Sequence, residues 1–251
     1  MVIIMIIMTV EDIIIMTDED CRLSLLALLR QQTWLSPAFP TGAYSYSHGL
    51  EWAVEAGHIH DRESLVDWLE ADLAYGSGRN EAIFFNEAWR SASEHDQARL
   101  LQVAELATVF RSTSEFALES VQQSIACLAT LRRVWGDRLL DWLSEMLRKL
   151  NLSPALAVIL GVRAATQRVP FNLALPAFLQ SLIANLVNAG VRLLPLGQTD
   201  GQRALAQLEQ AILVATAEAK QASLDDLGSA AFMVDVSSMA HESQYTRLFR
   251  S

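Results

Sequence analysis

Apolar residues recur at helical spacing through nearly all of this sequence, and nowhere at the strict alternation a half-buried strand requires. Leu65, Trp68, Leu69 and Leu73 fall at i, i+3, i+4 and i+8, on one helical face. Leu175, Phe178, Leu182, Ile183 and Leu186 repeat the period up to Gly190, and Leu205, Leu208, Ile212 and Ala215 repeat it again in an alanine-rich stretch. Breaks come where helix chemistry places them. Asp61 stands at an N-cap, Gly57 and Gly136 follow apolar runs, and Pro154, Pro170 and Pro195 mark starts or stops. The expected helices are 21–32, 50–56, one after Asp61, 80–92, 97–110, 114–135, one through Leu139 to Leu150, 155–166, one ending at Gly190 and 203–222. The 97–110 segment is apolar so broadly that burial on more than one side is expected, and helical pattern is lost after Ser223. There is no Asn-Gly hairpin and no repeat of solenoid length. The class is all-α: a single compact bundle of about ten helices with a polar, partly disordered C-terminal tail.

With 251 residues, 51% of them hydrophobic, the chain can bury a sizeable core. Its net charge is −10, and Lys149 and Lys220 are its only lysines. A nucleic-acid partner is excluded on that balance, because such binding rests on neutralising phosphates. Cys21 and Cys127 are too few and too distant for a disulfide framework or a zinc site, and read as small hydrophobes in a reducing, cytoplasmic compartment. The opening residues MVIIMIIMTVEDIIIM are apolar, but Glu11 and Asp12 interrupt them well short of a membrane span. We read residues 1–16 as an upstream leader, with the working chain starting at Met16, an all-α domain over 17–227 and a tail over 228–251.

Catalytic chemistry has no visible home. No phosphate loop, H-E-x-x-H, C-x-x-C or nucleophile elbow occurs, and no cofactor is implied. His58-x-His60 followed by Asp61 is the one local cluster with metal-ligand residue types. At i, i+2 its rings share a face only on an extended segment, and a solvent-facing turn is the competing account. His48 and His241 stand isolated in the sequence.

Three stretches depart from generic helical pattern. Leu35–Trp52, LSPAFPTGAYSYSHGLEW, sets two prolines, two glycines and two tyrosines between helices. Such punctuation makes an ordered turn, either a packed helix–helix corner or a contact surface for another protein. Arg192–Leu205, RLLPLGQTDGQRAL, is a second corner. Asp200 or Thr199 is available there to cap the following helix, and Arg192 and Gln198 are able to face outward. Ser237–Ser251, SSMAHESQYTRLFRS, interleaves Met239, Tyr245, Leu248 and Phe249 with His241, Glu242, Arg247 and Arg250. It suits either a segment that orders on binding or one that docks on its own bundle.

These stretches, in this order, closely resemble those of UreF-type urease accessory proteins, above all the run P-x-G-A-Y-S-Y-S-x-G-L-E at Pro40–Glu51. The resemblance covers roughly residues 21–251. It implies an all-α protein that dimerises and is not an enzyme. Its implied role is to bridge a UreD/UreH-type scaffold and the UreG-type GTPase on apo-urease, coupling GTP hydrolysis to nickel delivery. Carried onto this chain, it marks Tyr44, Ser45, Gly49 and Glu51 in the first turn and Arg192 and Gln198 in the second. In the tail, which the resemblance implies is ordered by the scaffold, it marks Tyr245, Arg247, Phe249 and Arg250. Glu51 and Arg192 are the expected GTPase contacts, as charges beside each turn. Two alternatives stand beside this one: an arginine donated directly to the GTPase, and a small all-α metal enzyme built on His58 and His60.

Overall fold

The computed structural model describes residues 18–251, with side chains from Arg22 onward except that of Leu23. The leader at 1–16, and any capping by the side chains of Asp18 or Asp20, lie outside the described residues. Eleven α-helices follow in order: α1 Asp18–Leu35, α2 Leu50–Glu55, α3 Arg62–Tyr75, α4 Ser77–Ser93, α5 Gln97–Val109, α6 Ser114–Val134, α7 Arg138–Lys149, α8 Leu156–Thr166, α9 Phe171–Leu193, α10 Gln198–Gln221 and α11 Phe232–His241. Among the described residues there is no strand.

The centre of the bundle is α4 packed along α8. Gly161 makes this possible, since a Cβ there would lie 2.6 Å from the Phe85 carbonyl oxygen and 3.2 Å from the Cβ of Ala88. Small residues on both helices, among them Ala82, Ala88, Ala157 and Ala164, bring the backbones close, and Phe85 stacks on Phe178 of α9 at 5.0 Å. α9 is long and apolar enough by composition to cross a membrane, yet half of that stretch is buried inside the bundle. Its apolar character is explained by burial against α10 and α4.

Local rules account for most boundaries. Asp61 accepts from the Ser64 amide at 2.8 Å, closing a capping box at α3, and Asp137 accepts from the amides of Leu139 and Leu140 at the start of α7. Four expectations need correction. α4 begins at Ser77 instead of Asn80: Asp72 accepts from the amides of Ser77 and Gly78, so the helix starts immediately after α3. α10 begins at Gln198 instead of Arg203, with Gly197 as its N-cap and Asp200 accepting from the Gly197 amide. α5 buries one face only, Leu100, Val103, Ala104 and Ala107. Helical pattern does not end at Ser223, since α11 lies beyond it, held by Val234, Ser237, Ser238 and His241.

α1 also differs from its sequence pattern. Leu25, Leu26, Leu28 and Leu29, which form an apolar stripe in the sequence, are exposed. The helix instead seats Ala27, Gln31 and Trp34, with the Gln31 amide donating to the Ala174 carbonyl at 3.1 Å.

Candidate functional site

The turn after α1 is shaped by residues that tolerate left-handed backbone. Gly42 has φ +76°, and His48 and Gly49 follow in succession at +57° and +78°. At Gly49 the space is as restrictive as the angle, because a Cβ would lie 2.9 Å from the amide nitrogen of Ser238 on α11. This double reversal aims the amide and hydroxyl of Ser47 and the carboxylate of Glu51 the same way, toward residues some two hundred positions later.

The last residues of the sequence lie across that turn. The Arg250 amide donates to the Ser45 carbonyl at 2.8 Å, and the amide and hydroxyl of Ser47 both donate to the Ser251 carbonyl, at 2.7 and 2.6 Å. Glu51, in the first turn of α2, accepts from the backbone amides of Leu248 at 2.5 Å and Phe249 at 2.9 Å. Its Oε2 also lies 3.0 Å from Nε2 of His241, whose Nδ1 lies 2.7 Å from Glu115 Oε2 on α6. His241 is fully buried. Two carboxylate contacts around one imidazole require a proton on each nitrogen, or one on a carboxyl. Burial pushes the Glu115 carboxyl above its usual range, with His241 and then Arg247 pulling against it.

One helical turn along α6, Glu119 repeats the arrangement. Its Oε2 takes His48 Nδ1 at 3.1 Å and the Ser251 hydroxyl at 3.0 Å, while Oε1 accepts from Gln123. His48 stacks on Phe116, centroids 3.8 Å apart, and its Nε2 lies 2.7 Å from the Ser77 hydroxyl, which donates to Asp72. Burial alone pushes the His48 imidazole down, but the charge and hydrogen bond of Glu119, with Asp72 and Glu81 behind, carry it above its ordinary value.

Arg192, near the end of α9, joins the three stretches. Its guanidinium sits 3.7 Å from the centroid of the Tyr44 ring and 4.2 Å from that of Phe249, and donates to the Tyr44 carbonyl at 2.7 Å. This surface is open: Tyr44 is 68% exposed, and in the tail Tyr245, Arg247, Leu248 and Arg250 are exposed.

Of the ten residues marked in the sequence, the structure joins eight at one locus. Tyr44, Ser45, Gly49, Glu51 and Arg192 meet the tail through Arg247, Phe249 and Arg250, while Tyr245 is wholly exposed in the tail and Gln198 lies exposed at the start of α10. The expectation that Glu51 is an outward-facing charge is corrected, since it is 7% exposed and spends its oxygens on the tail. Phe249 is buried too, at 4%. His241 is isolated in the sequence, yet it stands at the centre of the cluster. Glu115 and Glu119 carry no sequence signal beyond their i, i+4 spacing on α6, which is common on any exposed helix. His58 and His60 do not converge: His60 lies 3.6 Å from Asp61, and His58 leans on Trp52. Among the described residues no group of three His, Cys, Asp or Glu side chains is arranged to hold a metal.

The family model described as UreF matches residues 59–209. The Urease accessory protein UreF of Rhodopseudomonas palustris (strain BisB5) is 48% identical over 225 residues, covering 90% of this chain and 91% of that protein. The chain belongs to the UreF family. The Bradyrhizobium diazoefficiens protein named Urease accessory protein UreF is 46% identical over 90% of this chain and 92% of its own length. The UreF of Rhodopseudomonas palustris (strain BisB18) is 44% identical over 94% of this chain and 98% of its own. The UreF model match begins just before α3 and ends within α10, so it takes in Arg192 and leaves Pro40–Glu51 and the tail outside its bounds.

Proposed function

We propose that this UreF-family chain is an adaptor in urease maturation. It holds a UreD/UreH-type scaffold and a UreG-type GTPase together on apo-urease, so that nucleotide hydrolysis is coupled to nickel delivery. On this proposal it supplies contacts and not catalysis, works in the cytoplasm, and acts as a homodimer within the complex. The observation that carries the proposal is the convergence of the first turn, Arg192 and the tail on one face, bonded to one another and ringed by exposed aromatic and arginine side chains. Tyrosine and arginine are the residue types that dominate the energetics of protein–protein contacts.

The tail is proposed as the scaffold contact, through Tyr245, Arg247, Leu248 and Arg250, with its final order set by that partner. Tyr44, Arg192 and Gln198 are proposed for the GTPase. Glu51, Gly49, Ser45 and Phe249 serve the same contacts indirectly, by fixing the backbone that presents them. Mixing the chain with each partner on a sizing column tests this. Co-elution with both is expected, and elution apart from both overturns it. Deleting Ser237–Ser251 is expected to abolish scaffold binding first, whereas Arg192→Ala is expected to weaken the GTPase complex and leave helicity unchanged by circular dichroism.

A further inference from the structure

A groove of about 780 Å³ lies where the ends of α4 and α8 meet the start of α7. Pro170 is on its wall, and Arg192 lies at the other end of α9, roughly 30 Å away. Part of the wall is apolar and fixed. Trp89 is half-buried, its indole N–H donates to the Val169 carbonyl at 3.2 Å, and its ring meets Phe171 edge-on at 5.5 Å. Leu139 continues that apolar surface, while Arg138 and Arg168 line the groove as exposed side chains.

The charge here is opposite to that of the molecule. Residues 131–170 hold seven Lys and Arg against three Asp and Glu, in a chain of net charge −10. All three acids are engaged, Asp137 with Arg163, Asp141 with Arg132 and Glu145 with Lys149. Arg133, Arg138, Arg148 and Arg168 remain exposed, with no ion pair among the described residues. Beside the groove, Glu94 pairs with Arg99 and Asp96 caps α5. Helix chemistry does not account for the two arginines on the wall. Arg138 is the first residue of α7, where the helix dipole disfavours a cation. A cation suits the end of α8, but Arg168 stands there at φ +58°, an angle that suits glycine.

One exposed ion pair alters affinity by less than about fivefold, so a lone small anion is held too weakly at such a site. A peptide with several carboxylates and an apolar side chain engages both arginines and the Trp89–Leu139 surface together. We propose that this groove binds an acidic peptide segment of a partner protein, its carboxylates on Arg138 and Arg168 and its apolar side chain against Trp89 and Leu139. The positive field of Arg133 and Arg148 steers that segment to this end of the molecule.

Three blocked peptides, EELEE, QQLQQ and EEGEE, titrated into the ¹⁵N-labelled full chain and followed by amide shifts, test the groove. EELEE is expected to move resonances of residues 93–97, 138–139 and 165–169, with a Kd of about 1 mM or tighter. QQLQQ and EEGEE are each expected to bind at least about fivefold more weakly. Raising the salt from about 50 to about 500 mM is expected to weaken EELEE about tenfold. Arg168→Gly suits the left-handed turn and Arg138→Gln relieves the start of α7, so neither threatens the fold. Together they are expected to weaken EELEE about tenfold, whereas Arg203→Gln, on α10, is expected to change nothing. Neither variant touches the tail or Arg192, so this loss is read apart from the partner contacts proposed above. EELEE binding that the double variant leaves unchanged overturns the proposal. So does equal affinity for the three peptides, or the absence of shifts at about 5 mM EELEE. Sedimentation with phosphatidylglycerol vesicles that the double variant abolishes, without shifts from EELEE, assigns the groove to a membrane surface and overturns it too.

Discussion

Two of the buried charge groups among the described residues have opposite consequences. Arg163 of α8 bonds Asp137 at 2.9 Å, with side chains 1% and 5% exposed, and Thr166 donates to the same carboxylate at 2.6 Å. Trp34 of α1 covers the guanidinium at 4.9 Å, and the other oxygen of Asp137 caps α7. The second group, Glu51–His241–Glu115 with Arg247, is nearly as buried at its centre but opens outward into an exposed tail. Both carry the cost of desolvating charge, offset by several hydrogen bonds apiece. The first joins residues 26 positions apart and fixes a corner. The second joins positions 126 to 198 apart, and the order of a whole surface depends on it. A carboxylate fixed at the start of α7 cannot move away into water when its partner is lost, whereas a tail can simply leave.

That asymmetry fixes the expected size of each perturbation. Arg163→Met leaves the 5% exposed Asp137 side chain without its cation and is expected to cost about 3–5 kcal/mol in urea unfolding. A loss below about 1 kcal/mol would mean that the corner is wetter than its geometry shows. Glu51→Ala removes the acceptor of two amides and one imidazole, but the tail can be released to solvent. The loss is therefore expected at about 1–3 kcal/mol, with hydrogen-exchange protection disappearing at 248–249 and persisting in α4 and α8. Uniform loss of protection would erase the distinction between the two clusters.

Gly49→Ala is expected to cost about 1–2 kcal/mol from the left-handed backbone and to push α11 outward, visible as faster exchange at 237–241. Unchanged exchange there would show that the close approach to Ser238 is not needed. The smallest effect is that of pH. The folded state raises the pKa of His48, so its contribution is complete below the ordinary imidazole value of about 6.5 and is lost as pH rises through the folded value. Burial of Glu115 acts in the same direction. Urea midpoints are expected to fall between pH 6 and 9 in the wild type, and by less in His48→Gln; parallel curves would remove His48 from the account.

Much of this was legible beforehand because it is local. The Asp61 cap, the α2 stop at Gly57 and the faces of α3 and α9 all follow from spacing within a few residues. The misreadings share one cause: burial is decided by neighbours that sequence order does not name. The leucines of α1 match a core stripe and are exposed, while Gln31 and Trp34 are buried beside them. α11 has a small, polar buried face, Ser237, Ser238 and His241, that no apolar periodicity could reveal. At the site, Glu51 looked like a surface charge because its partners stand at the far end of the sequence.

The sequence by itself determined the all-α class, most helix positions and the stretches worth watching, because helical period, caps and left-handed glycines act over a few residues. Only the tertiary structure decided that the first turn, Arg192 and the tail form one face, and that His241 lies between two glutamates. Those contacts join residues 126 to 204 positions apart. Whether such a pairing holds depends on desolvation and hydrogen-bond geometry in three dimensions, and no pattern along the chain encodes that.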